Sequence, residues 1–137
     1  MPFVIGRPGY GRETYPSPPP VPVIVGSGVQ IVRFAIGTAA VQDSPGIIPG
    51  TAIILFAGLD IAPGDSDVPY PEGTTITITN AASGKVLLSA DQDNPADAIY
   101  WTKPLDVLWG TPARVRATVG NAPAFGSGIV LVEYALP

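Results

Sequence analysis

Gly73-Thr74-Thr75-Ile76-Thr77-Ile78-Thr79 decides the fold. Threonine and isoleucine alternate, so in an extended chain Ile76 and Ile78 share one face and the threonines take the other. A helix would scatter the same residues around its circumference. Ala113-Arg114-Val115-Arg116-Ala117-Thr118-Val119 repeats the pattern, with Arg114 and Arg116 outward. Further β-rich runs lie at 21–25, 29–36, 51–57, 85–90, 98–102, 105–109 and 129–136. Turn clusters separate them: Gly26-Ser27-Gly28, Asp43-Ser44-Pro45-Gly46, Asn80-Ala81-Ala82-Ser83-Gly84 and Gly126-Ser127-Gly128. No stretch carries a helical apolar stripe free of Gly, Pro and β-branched crowding. The expectation is an all-β fold of seven to nine short strands, a single small antiparallel β-sandwich or barrel that is jelly-roll-like.

Composition sets the outer bounds. The 137 residues suffice for one domain. Charged residues make up 13%, about half the roughly 25% of ordinary soluble domains. The 16 glycines and 17 prolines fit a turn-dense architecture. With no His and no Cys, the Ser-His-Asp and Cys-His nucleophiles, imidazole or thiolate metal sites and disulfide scaffolds are all excluded. A net charge of −4 argues against nucleic-acid binding, which depends on neutralising phosphates. The start, Met1-Pro2-Phe3-Val4-Ile5-Gly6-Arg7-Pro8, lacks a charged stretch followed by a long apolar core, so no secretory signal is expected there. The longest apolar run, residues 52–59, is too short to cross a bilayer, and no membrane partner is expected.

The chain divides into an arm, residues 1–20, and a sandwich body, residues 21–137. Pro2, Pro8, Pro16, Pro18, Pro19 and Pro20, with Gly6, Gly9 and Gly11, argue against any helix or regular strand in the arm. Its Pro-dense end favours extended polyproline II. Such a segment cannot bury enough of its own surface to offset its ordering entropy, so it needs a surface to lie on. Phe3, Val4, Ile5, Tyr10 and Tyr15 are its apolar anchors, and Arg7 and Arg12 its cations. That surface is either its own domain or, the reading favoured here, a neighbouring chain. Against Glu13, the two arginines leave the arm at +1 and the body at −5.

Two runs depart from one-sided alternation. Residues 29–36 are apolar except at Gln30 and Arg33, and 129–136 are broken only by Glu133. An antiparallel sandwich strand normally wets one face, so these need a second cover. A second subunit supplies it, which marks Val29, Ile31, Val130, Val132 and Tyr134 as interface candidates and predicts a homo-oligomer, with a trimer favoured. The low charge content points the same way.

No constellation carries chemistry strongly. Asp65-Ser66-Asp67 in the 60–72 stretch, and Asp91-Gln92-Asp93-Asn94 in the 91–97 stretch, offer oxygen ligands for a hard cation such as calcium. Neither matches an EF-hand loop, and the same residues build ordinary exposed turns. No metal and no cofactor are expected. The carboxylates form no recognisable acid–base pair of the glycosidase kind, so no catalytic residue is assigned. Gly6-Arg7-Pro8-Gly9-Tyr10-Gly11 lacks the flanking strand and helix of a phosphate cradle. Tyr100, Trp101 and Trp109 could stack a sugar, but alternation turns Tyr100 and Trp101 to opposite sides, which favours core or interface roles.

The ending Ile129-Val130-Leu131-Val132-Glu133-Tyr134, preceded by Arg114-Val115-Arg116-Ala117 and a Gly-Ser-Gly turn, resembles small virion structural proteins of tailed bacteriophages. So does the Gly73–Thr79 stretch. In particular the chain, from about Val29 to Pro137, is similar to capsid decoration (cement) proteins. That resemblance implies a β-sandwich or barrel on the capsid exterior, often trimeric, bound to the major capsid protein and made in the host cytoplasm. It also implies extended arms that staple neighbouring capsomers and no catalytic residue. The expected function is therefore a non-enzymatic virion protein that stabilises an assembled capsid. A head-fibre base, a tail-associated subunit and a carbohydrate-binding or adhesive β-sandwich module are the alternatives.

Overall fold

Alternation becomes strand wherever one face can be buried. The computed structural model describes residues 3–6 (backbone alone), 29–90, 98–104 and 108–137. Among these it forms β1 (Phe3–Gly6), β2 (Val29–Ile36), β3 (Val41–Asp43), β4 (Ile53–Ile61), β5 (Thr75–Asn80), β6 (Val86–Ala90), β7 (Ala98–Thr102), β8 (Val115–Gly120) and β9 (Gly128–Ala135), with no helix. The expected strand at 21–25 and the Asp91–Asp97 stretch lie outside the described residues. Of the run at 105–109, residues 105–107 are also outside, and Leu108 makes a single bridge to Ile53.

The strands pair in nested fashion: β2 with β9, β3 with β8, β4 with β7 and β5 with β6, all antiparallel. Joining β4 to β9 and β5 to β8 then gives two sheets, ordered β1-β7-β4-β9-β2 and β3-β8-β5-β6. A long hairpin rolled up this way is a jelly roll, with β1 added beyond its eight strands. The all-β antiparallel sandwich expected from periodicity is the fold observed.

The two inner faces meet as a contiguous core. Ile54, Leu59 and Ile61 of β4, Ile76 and Ile78 of β5, Val115 of β8, and Val130 and Val132 of β9 are all essentially inaccessible. Each such side chain contributes about 1.5–3 kcal/mol by leaving water. Trp109, the largest fully buried side chain, packs among them. The buried polar groups are mostly paired. Asn80 Nδ2 donates to the Thr111 carbonyl at 3.0 Å. Its Oδ1 accepts from the Ala82 and Ser83 amides at 2.8 and 2.9 Å, fixing the turn after β5. At one end of the sandwich, Tyr70 Oη donates to the Gly37 carbonyl at 2.8 Å. The Tyr70 ring sits where a Cβ on Gly126 would fall, and burial pushes its hydroxyl up to about 12.

One expectation fails in the arm. A regular strand does run through residues 1–20, at Phe3–Gly6, paired with β7 of the same chain in the register Phe3↔Trp101 to Gly6↔Ala98. These four residues fall between Pro2 and Pro8 and contain no proline themselves. So short a strand owes its order to the open edge of β7 rather than to its own sequence.

Candidate functional site

The two sheets turn unlike faces outward. On the four-stranded sheet Thr75, Thr77 and Thr79 of β5 and Thr118 of β8 point away from the core. Beside them Arg116 grips Asp43 with two prongs, Nε to Oδ1 at 2.8 Å and Nη2 to Oδ2 at 3.0 Å. Hydrogen bonding to that guanidinium holds the Asp43 carboxyl below its ordinary value. This face is largely polar, as one face of an antiparallel sheet usually is, though Val41 and Val86 also stand exposed on it.

The five-stranded sheet carries an apolar one. Register places Leu131 between Arg33 and Gly58, and Ile129 between Ala35 and Asp60, all on the side away from the core. Ile99 and Trp101 of β7 and Phe56 of β4 share that side. The Trp101 and Phe56 rings stack, with centroids 5.9 Å apart and planes 26° apart. Because Gly58 has no side chain, a depression of about 220 Å³ opens there, walled by Ile99, Ile129 and Leu131 and bordered by Arg33 and Asp60.

This face has an open part and a closed part. Ile31, on the edge strand β2, is 59% exposed. Phe56, Ile99 and Glu133 are only 1%, 3% and 8% exposed although they point outward, and neither Phe56 nor Ile99 belongs to the contiguous core. Burial pushes the Glu133 carboxyl above its ordinary value, and its Oε2 has no hydrogen-bond partner.

The interface candidates divide accordingly. Val29 and Ile31 lie on the outward side of β2, half-buried and exposed. Val130 and Val132 do not face outward: they are 0% exposed inside the chain's own core, and Tyr134 on the same row packs against it. Burial within the chain leaves Val130 and Val132 no surface to offer a partner. Sequence reasoning missed Ile129 and Leu131, the outward residues of β9. Glu133 was the available signal, because a lone charge in an apolar strand marks the outward parity.

In the arm, Phe3, Val4 and Ile5 fall in β1, while Arg7, Tyr10, Arg12 and Tyr15 lie outside the described residues. Tyr100 and Trp109 are buried in the core and Trp101 is outward, so the three aromatics share no sugar-binding platform. In the 60–72 stretch Asp67 Oδ2 accepts the Gly64 amide at 2.7 Å, closing an ordinary turn. Among the described residues no three His, Cys, Asp or Glu side chains gather as a metal set.

The jelly roll is an architecture found in viral capsid and lectin domains alike. The fold is similar to a chain in the acidic stable capsid structure of Helicobacter pylori bacteriophage KHP30, with TM-score 0.64 and 18% identity over 81% of this chain and 90% of that one. It is also similar to a chain of the cyanophage Pam1 capsid asymmetric unit, with TM-score 0.56 and 23% identity over 96% and 97%. At these identities the likeness establishes a shared fold. No protein-family model matches the sequence, and no curated protein matches it.

Proposed function

We propose that this is a non-enzymatic virion structural protein that binds the outside of an assembled phage capsid and stabilises it, as a decoration (cement) protein does. The observation that carries the reading is the open apolar strip on the five-stranded sheet, where Ile31 stands exposed on the edge strand β2 and Leu131 and Ile129 follow on the same outer side of β9. The capsid origin of both similar structures supports it. The strip, with Val29, is the contact between copies of this chain, with three copies around one axis. Such an interface needs about 800 Å² per partner. Many copies on one shell turn a modest contact with the major capsid protein into a durable one. The chain brings no imidazole or thiol to any site.

The test is cryo-electron microscopy and quantitative mass spectrometry of the virions whose genome encodes the chain. The expected result is density for this jelly roll on the outer shell, and particles that burst at lower temperature when the gene is deleted. A chain missing from the particle, or found inside it, overturns the proposal.

A further inference from the structure

Edge strands present unpaired main-chain N–H and C=O groups, and proteins protect them by shortness, bulges, proline or charge. Three of the four sheet edges here are protected in that way. β1 has four residues, β3 has three, and β6 is bulged against β5 between Ile78 and Thr79. β2 is different. It runs eight residues, Val29–Ile36, without a proline and without a break in its register on β9. Among the described residues no strand pairs with its other side. Even Val32 and Phe34, which pack toward the core, are only half-buried. The strand's one charge is Arg33, exposed and without an ion pair among the described residues.

The sequence of β2 fits a second copy of itself. Side chains and outward amides both alternate with period two, so a two-fold axis between antiparallel copies must pass beside one residue and its own counterpart. Centred on Arg33, the pairing sets like charges opposite each other, which destabilises it. Centred on Ile31 or Phe34, the overlap shrinks to residues 29–33 or 32–36. Centred on Val32, residues 29–35 all pair and no charge meets its like. Valine then faces valine at the axis, and Ile31 lies opposite the partner's Arg33.

That register brings two unsatisfied groups together. Ile31 is opposite Glu133 on β9, so the partner's Arg33, Ile31 and Glu133 stand in one outward row. Glu133 is buried and its Oε2 has no hydrogen-bond partner. From the partner's Arg33 to Glu133 is two strand spacings, about 10 Å between Cα atoms. An arginine and a glutamate side chain span it together, the arginine stem lying along exposed Ile31. A guanidinium is the donor that best matches a carboxylate. Within one chain Arg33 stands opposite Leu131 instead, one row away.

We propose that two copies of this chain pair antiparallel through β2, centred on Val32, so that the sheet runs on from one copy into the next and Arg33 of each meets Glu133 of the other. This two-fold contact uses the edge of β2 and is separate from the contact around a three-fold axis proposed above.

Disulfide trapping of the purified chain tests the register. The chain has no cysteine, so one introduced cysteine can bond only to another copy. In this register two Val32→Cys residues lie directly opposite, about 4.5–5.5 Å apart between Cα atoms, within disulfide reach. Two Ile31→Cys residues are one strand and two residue steps apart, about 8 Å, which is beyond it. The expected result is covalent dimer from Val32→Cys and none from Ile31→Cys; the reverse pattern, or no dimer from either, overturns the proposal. Adding Arg33→Glu to Val32→Cys is expected to slow dimer formation about 10-fold or more, and Arg33→Lys to slow it less. An unchanged rate with Arg33→Glu overturns the contact with Glu133. Sedimentation velocity of the unaltered chain guards against a folding defect in the variants: a monomer at its highest soluble concentration also overturns the pairing. None of these readouts involves a virion, so they fail or succeed independently of the capsid reading.

Discussion

Leu131 and Val132 are chain neighbours that the structure assigns to different tasks, and alanine at each separates them. Val132 has no exposed surface and packs in the core. Val132→Ala deletes two carbons at about 0.8 kcal/mol each, and a residual cavity of about 40 Å³ adds about 1 kcal/mol at about 24 cal/mol per Å³. The sum is about 2.5 kcal/mol. With about 2.1 cal/mol/K of unfolding entropy per residue, a 137-residue domain loses about 9 °C in Tm for that change. Leu131 lies on the outer wall of the Gly58 depression and is half-exposed. Leu131→Ala is expected to cost at most about 1 kcal/mol, or about 3 °C, at a concentration where the protein is monomeric. Thermal melts by circular dichroism measure the first quantity. Sedimentation velocity at rising concentration measures the second, where Leu131→Ala weakens self-association and Val132→Ala leaves it unchanged under folded conditions. Equal losses of Tm for the two variants would refute the outward parity of β9. Weakened association by Val132→Ala at an unchanged Tm would restore Val132 to the interface.

Three further outcomes follow from local geometry. In Gly126→Ala the new Cβ falls 2.2 Å from Tyr70 Cδ1 at a backbone φ of 129°; a loss of about 3 kcal/mol is expected in denaturant melts, and combining it with Tyr70→Ala should give less than the sum of the two. Asn80→Ala strips the turn of its fully buried amide side chain and is expected to cost about 2–4 kcal/mol, with faster hydrogen exchange at Ala82 and Ser83, whose amides it frees. Arg116 lowers the folded-state pKa of Asp43 below the ordinary 3.8; the stability this supplies is complete above the unfolded value and is lost as pH falls through the folded one, so Asp43→Asn should flatten the acid end of a Tm-versus-pH curve and leave the alkaline end unchanged.

Much of this architecture is written in period two. The runs at 29–36 and 98–102 match β2 and β7, and the Thr–Ile alternation gives β5 with its inward isoleucines. Two elements are not legible. β1 has too few residues to announce itself and depends on the edge of β7 for its hydrogen bonds. β3, Val41-Gln42-Asp43, has no alternation long enough to read, and is held by β8 and the Arg116 pair. Which face of β9 looks outward is marked in the sequence by Glu133 alone, because apolar residues occupy both rows. The closed half of the outer face has no counterpart in local pattern at all. Phe56 and Ile99 look like core residues in the sequence, and only the pairing register shows them on the other side.

The nesting of the strands has a consequence for synthesis. β9 is the last strand described, yet it lies between β2 and β4 and bonds to both. As the ribosome extends the chain, the β5–β6 hairpin can close early, but β2 and β4 have no common partner until residues 128–135 emerge. Until then the apolar run through Ile53–Ile61 has β7 on one side and an open edge on the other. Pairings this distant in sequence form slowly, and waiting strands of this kind are prone to aggregate. Nascent chains arrested before residue 128 should therefore bind chaperones that full-length chains release.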